Sequence, residues 1–283
     1  MDAIALDIIC HLCGSEDSDK LLAVVEKPAG ETDYKIPPVN YYREVHECKN
    51  CGVFFNARQP DLIPENFYEG QYNAAIEMGT LDRRFHRIIN LPYSKSDNKS
   101  RVLRIINHLY QNDRPIIGMN VLDVGSGTCV FLHEMNKFGF NTYSIDPDKS
   151  SAKHSKETVK VNKAYCGTLD SVKIDQTFDF ISFNKVLEHV KNPIRVLSKA
   201  KDLLSESGII YIEVPDGERI VKEDNILNRA EFFIDHHTTF NPQSFDYLIR
   251  SAGFVCNNIE QVLDPSGKRT ILGFITIQKN ILN

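Results

Sequence analysis

The stretch that decides the fold is Val121-Leu-Asp-Val-Gly-Ser-Gly-Thr-Cys-Val-Phe-Leu132. Its first four residues, which end at Val124, are typical of a buried strand. The chain then turns through Gly125 and Gly127, and an apolar run at 130–132 begins a helix. A glycine turn between a parallel strand and a helix allows backbone N–H groups to approach a ligand closely at the carboxyl end of a sheet. The stretch therefore predicts a strand–turn–helix unit that binds a ligand.

An acidic residue stands where the next strand is expected to end. Asp146 closes the run Phe140-Asn-Thr-Tyr-Ser-Ile-Asp146, twenty-one residues after Gly125. A carboxylate at that place can accept hydrogen bonds from the two hydroxyl groups of a ribose. The ligand is therefore expected to contain a nucleoside.

The turn lacks the last glycine of a dinucleotide fingerprint, because Val130 stands at the sixth position of Gly-x-Gly-x-x-Gly. The pattern apolar-apolar-Asp-x-Gly-x-Gly, which ends at Gly127, resembles instead that of the class I S-adenosylmethionine (SAM)-dependent methyltransferases. Cys129 stands where these enzymes commonly carry a third glycine. Its side chain is small, and we expect binding to survive the change.

The resemblance implies SAM as the cofactor and a doubly wound α/β fold, with a seven-stranded, mostly parallel sheet. It implies that the Thr168–Leu169 region lies against the adenine and that Asn184 lies beside the methionyl part of SAM. The cofactor-binding residues that we predict in this domain are Asp123, Gly125, Ser126, Gly127, Asp146, Thr168, Leu169 and Asn184.

Later parts of the chain fit the same sheet. The run 178–184 is nearly continuous in apolar residues, as a strand covered on both faces must be, and it leads into a Leu-Glu-His-Val motif at 187–190. A fifth strand is expected at 208–215. The runs 254–263 and 270–278 are expected to form a hairpin, which gives the sheet an antiparallel edge.

Size and composition agree with this interpretation. The chain has 283 residues, of which 42% are apolar and 25% charged, enough for one large domain and a small appendage. The net charge of −5 argues against a general nucleic-acid binder, because affinity for phosphates comes from Lys and Arg. No apolar run approaches the ~20 residues of a membrane span, and Met1-Asp-Ala lacks the basic start of a signal peptide. We expect a cytoplasmic protein.

The N-terminal region carries a second pattern. Cys10-x-x-Cys13-Gly and Cys48-x-x-Cys51-Gly place four cysteines in two tight turns. Four thiolates form the ligand set of a closed, tetrahedral zinc site. Two disulfides are the alternative, which a cytosolic location and three further cysteines argue against. We expect a structural zinc that folds residues 1–60, a segment too short and polar to form a core alone.

The predicted domains are a zinc-binding domain at 1–60, a helical connector and lid at 61–115, and the SAM-dependent methyltransferase domain at 116–283. Residues 81–104 of the connector have a net charge of +5, from seven Lys and Arg residues against two Asp. This run is either a solvated helical face or a wall that binds the phosphates of a substrate. Tyr72 and Arg101 are further candidates to contact the SAM carboxylate.

A loop between Pro215 and a helix expected from Asn241 to Ala252 is predicted to pass over the pocket. It contains Asp235, and we expect a general base from it, because a carboxylate beside an imidazole orients the ring and raises its basicity. Such a base typically contributes 10²–10⁴-fold to the rate. The candidate bases are His236 and His237 of the loop, with His189 as their rival.

A narrower resemblance concerns the acceptor. Zinc-bearing sugar C-methyltransferases of deoxysugar pathways combine a four-cysteine site with a SAM domain and carry a Tyr-His-Glu-His stretch. Phe233 stands at the position of the tyrosine, Asp235 at that of the glutamate and His236 at that of the last histidine. Those enzymes also have a further C-terminal domain, and shorter relatives resemble bacterial enzymes of surface-polysaccharide biosynthesis. The resemblance implies a nucleotide-activated sugar or a glycan precursor as the acceptor. The missing phenol favours O-methylation over C-methylation.

Two other classes remain open. A zinc-finger RNA base methyltransferase also joins a cysteine-rich head to a SAM domain, but the acidic total argues against it. A non-catalytic SAM-fold binding module would use the head as a docking surface. The presence of Asp123, Asp146 and both loop histidines argues against that module.

Overall fold

Two β-sheets organise the protein, whose computed structural model describes residues 6–34, 36–37, 41–59, 62–63, 67–69, 80–223 and 226–278. The larger sheet contains the runs predicted for the methyltransferase domain, and the smaller one contains the N-terminal strands. In chain order the strands are β1 (Ser18–Val24), β2 (Arg43–Cys48), β3 (Phe54–Arg58), β4 (Asn120–Val124), β5 (Asn141–Asp146), β6 (Lys163–Cys166), β7 (Phe178–Asn184), β8 (Leu204–Pro215), β9 (Thr238–Thr239), β10 (Phe254–Leu263) and β11 (Arg269–Ile277).

The larger sheet has the order β10-β11-β8-β7-β4-β5-β6. Strands β8, β7, β4, β5 and β6 are parallel to one another, whereas β11 and β10 run antiparallel at one edge. The predicted seven-stranded, mostly parallel sheet with an antiparallel ending is therefore confirmed. The strand order reverses beside β4, and ligands of doubly wound sheets bind at the carboxyl ends of strands at such a switch point.

Seven α-helices are found in the described residues, together with short 3-10 turns, of which the one at Leu187–His189 matters for the site. No described helix has the length and apolar composition that a membrane crossing requires. The last helix is capped as expected, by Asn241 before it and Gly253 after it. The helices are α1 (Leu81–Ile89), α2 (Asp97–Gln111), α3 (Val130–Asn136), α4 (Lys149–His154), α5 (Pro193–Ala200), α6 (Gly217–Glu223) and α7 (Pro242–Ser251).

Helices cover both faces of the large sheet. On one face Phe183 of β7 belongs to an apolar cluster with Leu197 of α5 and Phe245 of α7. On the other face Phe180 of the same strand packs in a cluster with Leu132 of α3. This double coverage explains why the run 178–184 is apolar almost throughout, since neither face of β7 meets solvent.

The smaller sheet is antiparallel and has the order β1-β2-β3-β9. Its last strand, Thr238–Thr239, comes from the region after β8, far away in sequence from the other three. In addition, Phe55 of β3 belongs to the same apolar cluster as Phe240 and Phe245. The N-terminal strands therefore share a sheet and a core with the methyltransferase region, which the sequence did not predict.

Candidate active site

The chain turns through Gly125 and Gly127 after β4, as its sequence predicts, in the left-handed backbone conformation that glycine favours. Gly125 has a φ of +70°, and its N–H donates to the carbonyl oxygen of Ile145 at 2.8 Å. A Cβ added at Gly125 would lie 2.7 Å from a methyl carbon of Val186, the second residue after β7. Gly127 follows with a φ of +51° and Cys129 with 58°. Only glycine fits at 125, because any side chain would collide and the backbone conformation disfavours L-residues.

Asp146, at the end of β5, stabilises the glycine turn by hydrogen bonding. Its two carboxylate oxygens accept hydrogen bonds from the backbone N–H groups of Gly127 at 2.8 Å and Asp148 at 2.9 Å. Burial raises the pKa of Asp146 to about 6, although these two hydrogen bonds oppose the rise. The group is therefore mostly ionised at pH 7, and each oxygen retains a lone pair for a ribose hydroxyl.

A second buried carboxylate lies under the turn. Asp123 accepts hydrogen bonds from the Ser182 hydroxyl at 2.6 Å and from the Asn184 amide nitrogen at 2.8 Å. Burial raises the pKa of Asp123 to about 7. The other end of the Asn184 amide, its Oδ1 atom, is buried and has no hydrogen-bond partner among the described residues. An orphaned acceptor there suits an ammonium group such as that of the SAM methionyl part.

A cavity of about 650 Å³ opens at the carboxyl ends of the parallel strands, a size typical of small-molecule sites. The predicted cofactor residues that line it are Gly125, Gly127, Asp146, Thr168 and Leu169. The predicted residues Asp123, Ser126 and Asn184 are not among the described lining residues. The Ser126 hydroxyl lies instead 3.5 Å from that of Ser155.

Two further cofactor predictions have different outcomes. Tyr72 lies outside the described residues. Arg101 does not line the cavity, and its guanidinium forms a bidentate pair with Glu213, with N–O distances of 2.6 and 2.7 Å. Both side chains of this pair are buried. The prediction that Arg101 contacts the SAM carboxylate is corrected accordingly, because Nε and Nη2 of the guanidinium both donate to Glu213 of β8.

The basic run 81–104 does not form one surface. Among its seven cations, Arg84 lines the cavity. Lys99 donates to the Leu91 carbonyl oxygen at 2.6 Å, and Arg104 donates to the Tyr211 hydroxyl at 3.0 Å. The predicted wall of phosphate-binding cations is thus reduced, within the described residues, to Arg84.

His189 enters the cavity from the turn that follows β7. Its Nδ1 atom lies 3.2 Å from the Tyr68 hydroxyl, 3.2 Å from the Asp235 carbonyl oxygen and 3.5 Å from an Asp235 carboxylate oxygen. Burial lowers the pKa of His189, and the neighbouring His236 adds to this. The ring is therefore neutral at pH 7, and a proton on Nδ1 directed at Asp235 makes Nε2 the basic nitrogen.

The two loop histidines occupy different surroundings. His236 is not among the residues that line the cavity, and its Nδ1 lies 2.7 Å from the Glu231 carbonyl oxygen. Its ring packs edge-on against His189, with the ring centroids 4.4 Å apart. His237 does line the cavity, but its Nε2 faces the Arg58 guanidinium at 3.1 Å. Burial and the Arg58 charge lower the pKa of His237 to about 2, which keeps the ring neutral.

The N-terminal strands hold the loop that carries these groups. The Asn56 amide nitrogen donates to the carbonyl oxygens of Phe233 at 3.0 Å and His236 at 2.8 Å. A Glu31 carboxylate oxygen accepts the N–H of Ile234 at 2.8 Å. Arg58 donates to the carbonyl oxygen of the same residue. The position of Asp235, and through it that of His189, therefore depends on β3.

Several residues that line the cavity were not predicted from the sequence. Asp7, His11, Arg58 and Tyr68 all face the cavity. His11 lies between Cys10 and Cys13, and the four-cysteine pattern predicts a role for the cysteines but none for this histidine. No motif marks the other three, because strand pairing and loop packing bring them to the cavity from separate places.

The four predicted zinc ligands lie together. Their Sγ atoms are all within 4.8 Å of one another, with 3.6 Å between Cys10 and Cys51 and 3.5 Å between Cys13 and Cys48. A tetrahedral zinc with Zn–S bonds of about 2.3 Å sets sulfur atoms roughly 3.8 Å apart, whereas a disulfide needs about 2.05 Å. All four are free thiols, so this cluster fits a zinc ion and not two disulfides.

A second group of potential metal ligands, Glu188, His189 and His236, lies beside the cavity. The Nδ1 atoms of both histidines are already in hydrogen-bonding contact with the loop, at Asp235 and Glu231. We interpret this group as the network that orients His189.

The sheet order, the glycine turn and the carboxylate that supports it are those of a Rossmann-like methyltransferase fold. The chain belongs to the methyltransferase-domain family, whose match covers residues 91–259, more than half of its length.

Curated relatives share part of the chain. The ubiquinone biosynthesis O-methyltransferase of Actinobacillus pleuropneumoniae is 28% identical over 116 residues, which are 38% of this chain and 50% of that protein. The protein of the same name from Shewanella pealeana is 25% identical over 169 residues, which are 54% of this chain and 70% of that protein. The chain thus spans about half of the first relative and somewhat more of the second.

Solved structures share the fold. A SAM-dependent methyltransferase from Clostridium acetobutylicum superimposes with a TM-score of 0.50 at 13% identity, over 70% of this chain and 99% of that one. The plantazolicin methyltransferase, solved with a substrate analogue and SAH, gives a TM-score of 0.51 at 16% identity, over 70% of this chain and 90% of that one. At these identities the comparison shows the fold alone.

Proposed function

We propose that this protein transfers the methyl group of SAM to a hydroxyl group of a small acceptor bound beside His189. One observation carries the proposal. A single cavity contains both the glycine turn supported by Asp146 and an imidazole oriented by a carboxylate. Methyl transfer needs alignment of the acceptor and removal of its proton, and this cavity offers groups for both tasks.

His189 is the general base of the proposed reaction. SAM, when bound, supplies a methyl group that its sulfonium already activates. The acceptor oxygen would bond to this carbon as the electrons of the carbon–sulfur bond pass to sulfur, and His189 would take the hydroxyl proton. Asp235, whose pKa the two nearby histidines hold below its usual value against the effect of burial, then stabilises the imidazolium.

The proposed acceptor is a nucleotide-activated sugar or a glycan precursor. The four-cysteine cluster and the Asp235–His236 pair, both features of zinc-bearing sugar methyltransferases, support this class. The relatives named as O-methyltransferases favour oxygen as the methylated atom. Sugar C-methylation is the alternative, and it is supported by the retained acid–histidine pair.

We also propose that Cys10, Cys13, Cys48 and Cys51 hold a structural zinc. With all four positions filled by thiolates, the ion has no open site for a substrate. Its effect on the cavity comes through the first turn, which carries His11, and through β3, which follows the second turn and carries Asn56 and Arg58.

The test is an assay of the purified protein with SAM and a panel of nucleotide sugars, in which the formation of S-adenosylhomocysteine (SAH) is followed. His189→Asn should lower kcat by about 10²–10⁴-fold while the affinity for SAM stays nearly constant, because the ring removes a proton and does not hold the cofactor. His236→Asn is the matched control and should cost much less. Wild-type turnover by His189→Asn would contradict the proposed base, and NMR of the product separates O- from C-methylation.

A further inference from the structure

The part of the cavity beside His189 and His237 is built by the N-terminal region. Asp7, His11 and Arg58 line it, and Lys191 stands at its exposed lip. This is the place that the proposed function gives to the acceptor. Its charges therefore indicate what the acceptor carries.

Arg58 is a guanidinium in this cavity that lacks a carboxylate partner. Its donors reach the Ile234 carbonyl oxygen and the His237 ring, and no carboxylate oxygen of the described residues lies within ion-pairing distance. Within the described residues, the hydrogen bond of Asp7 runs from its backbone N–H to the Arg58 carbonyl oxygen. Arg43, opposite on β2, is by contrast 3.6 Å from a Glu31 carboxylate oxygen. Arg58 is half-buried, and a positive charge that is partly removed from water is stabilised by an anion, so this guanidinium can accept a partner from outside the chain.

The neighbouring imidazole does not neutralise this charge. His237 is held neutral, because burial and the Arg58 charge oppose its protonation. It therefore accepts from the guanidinium and fixes the direction of Arg58. The second cation, Lys191, is close enough to lower the pKa of His237. Arg58 therefore presents a pre-oriented positive charge inside the cavity, with Lys191 as a second cation.

We infer that Arg58 binds an anionic group of the acceptor, a phosphate or a carboxylate. The inference rests on the proposed function, because it assigns the acceptor to this part of the cavity. A planar guanidinium presents two parallel N–H donors, which match two oxygens of either group and give charge-assisted hydrogen bonds. Arg58 is then a specificity-determining residue that the N-terminal strands bring to the methyltransferase cavity.

The experiment uses the full-length protein saturated with SAH, titrated calorimetrically with three probes: inorganic pyrophosphate, malonate and uncharged glucose. At least one anion should bind, glucose should not compete with it, and affinity should fall as salt is added. Which anion binds more tightly distinguishes a phosphate from a carboxylate. Arg58→Gln should weaken anion binding tenfold or more with SAH affinity unchanged, whereas Arg83→Gln, which removes an exposed arginine of α1, should leave both unchanged.

Two results would overturn the inference. One is an SAH-loaded wild-type protein that binds neither anion at millimolar concentration, and the other is wild-type anion affinity in Arg58→Gln. If Arg58→Gln does not fold, Arg58→Lys serves instead. It keeps the charge but loses the planar pair of donors, so unchanged anion affinity in this variant counts against the assignment. A wild-type protein that fails to bind SAH would contradict the proposed function itself.

Discussion

Gly125 combines two constraints at one backbone position. Its φ of +70° places it in the left-handed region, and the space that a Cβ would need is occupied by Val186. The first constraint is local and can be anticipated from the sequence. The second depends on β7 lying beside β4, so it exists only in the folded sheet.

Gly125→Ala should weaken SAM binding and lower the free energy of unfolding by about 1–3 kcal/mol, because both the backbone and Val186 must shift. Calorimetric titration and thermal unfolding measure the two effects. Gly127→Ala is the matched control, since a Cβ there meets no atom of the described chain within 4 Å and only the backbone is strained. Adding Val186→Ala to Gly125→Ala should restore part of the loss. Equal effects of the two glycine substitutions would contradict the role of close packing.

The affinity for SAM should fall as the pH drops below 6. Burial raises the pKa of Asp146 to about 6, so its carboxylate becomes protonated below that pH and loses acceptor capacity for the ribose hydroxyls. At pH 5 about one molecule in ten keeps the ionised form, which predicts roughly a tenfold loss of affinity. Asp123, with a pKa of about 7, titrates earlier and contributes its own step. The comparison with Asp146→Asn isolates the lower step, and an identical pH profile in that variant would refute this origin.

At the scale of elements, the ion pair between Arg101 and Glu213 joins α2 to β8, an interior strand of the large sheet. The Tyr211 hydroxyl donates to the same carboxylate at 2.7 Å, and Arg104 reaches the Tyr211 hydroxyl. The basic run that looked like a substrate surface in the sequence is, in its second half, the attachment of α2 to the sheet. Burial opposes the ionisation of Glu213, but Arg101 outweighs it and holds the pKa of Glu213 well below its usual value.

Arg101→Met should lower the free energy of unfolding by about 3–5 kcal/mol, because it leaves Glu213 buried without its partner. Denaturant unfolding at pH 7 measures this loss. The double variant Arg101→Met/Glu213→Leu should recover part of it, since the unpaired Glu213 charge is removed while Arg104 loses a carboxylate 3.8 Å away. The stabilising effect of the lowered pKa of Glu213 is present above the pKa of the unfolded state and disappears as the pH falls through the folded value. Loss of SAM binding without loss of stability in Arg101→Met would instead restore the predicted cofactor role.

At the scale of the whole molecule, the cysteine region and the methyltransferase region share an apolar core and a β-sheet. Cys48 and Cys51 belong to the same apolar cluster as the large sheet. Asn241 caps α7 with its side-chain oxygen, and its amide nitrogen donates to the Gly52 carbonyl oxygen at 2.7 Å. The small sheet is closed by β9, which directly follows His237. The cysteine cluster therefore supports the cavity wall as well as its own turns.

Cys48→Ser should release one bound zinc per chain and destabilise the entire chain in a single unfolding transition, by several kcal/mol. Elemental analysis and calorimetric unfolding test the two parts. Cys166→Ser is the control, because Cys166 is exposed and lies outside the cluster. A metal-free wild-type preparation of normal stability would end the zinc proposal. Two separate transitions, one of them unchanged, would contradict the shared core.

The sequence by itself determined the sheet and the cofactor turn. The runs ending at Val124, Asp146 and Asn184 form neighbouring parallel strands. Apolar runs and glycine turns are local features of the sequence, and they favour strands and turns wherever they occur. The two Cys-x-x-Cys turns were equally visible, since their spacing fixes the ligand geometry.

Only the tertiary structure decided which polar side chains meet in the cavity. His189, Asp235 and Arg58 come from three distant segments, and their contacts follow from the pairing of β3 with β9. Arg101 does not line the cavity because its guanidinium pairs with the buried carboxylate of Glu213, which belongs to another element. Contacts between distant segments depend on the packing of whole elements, and no local pattern in the chain records them.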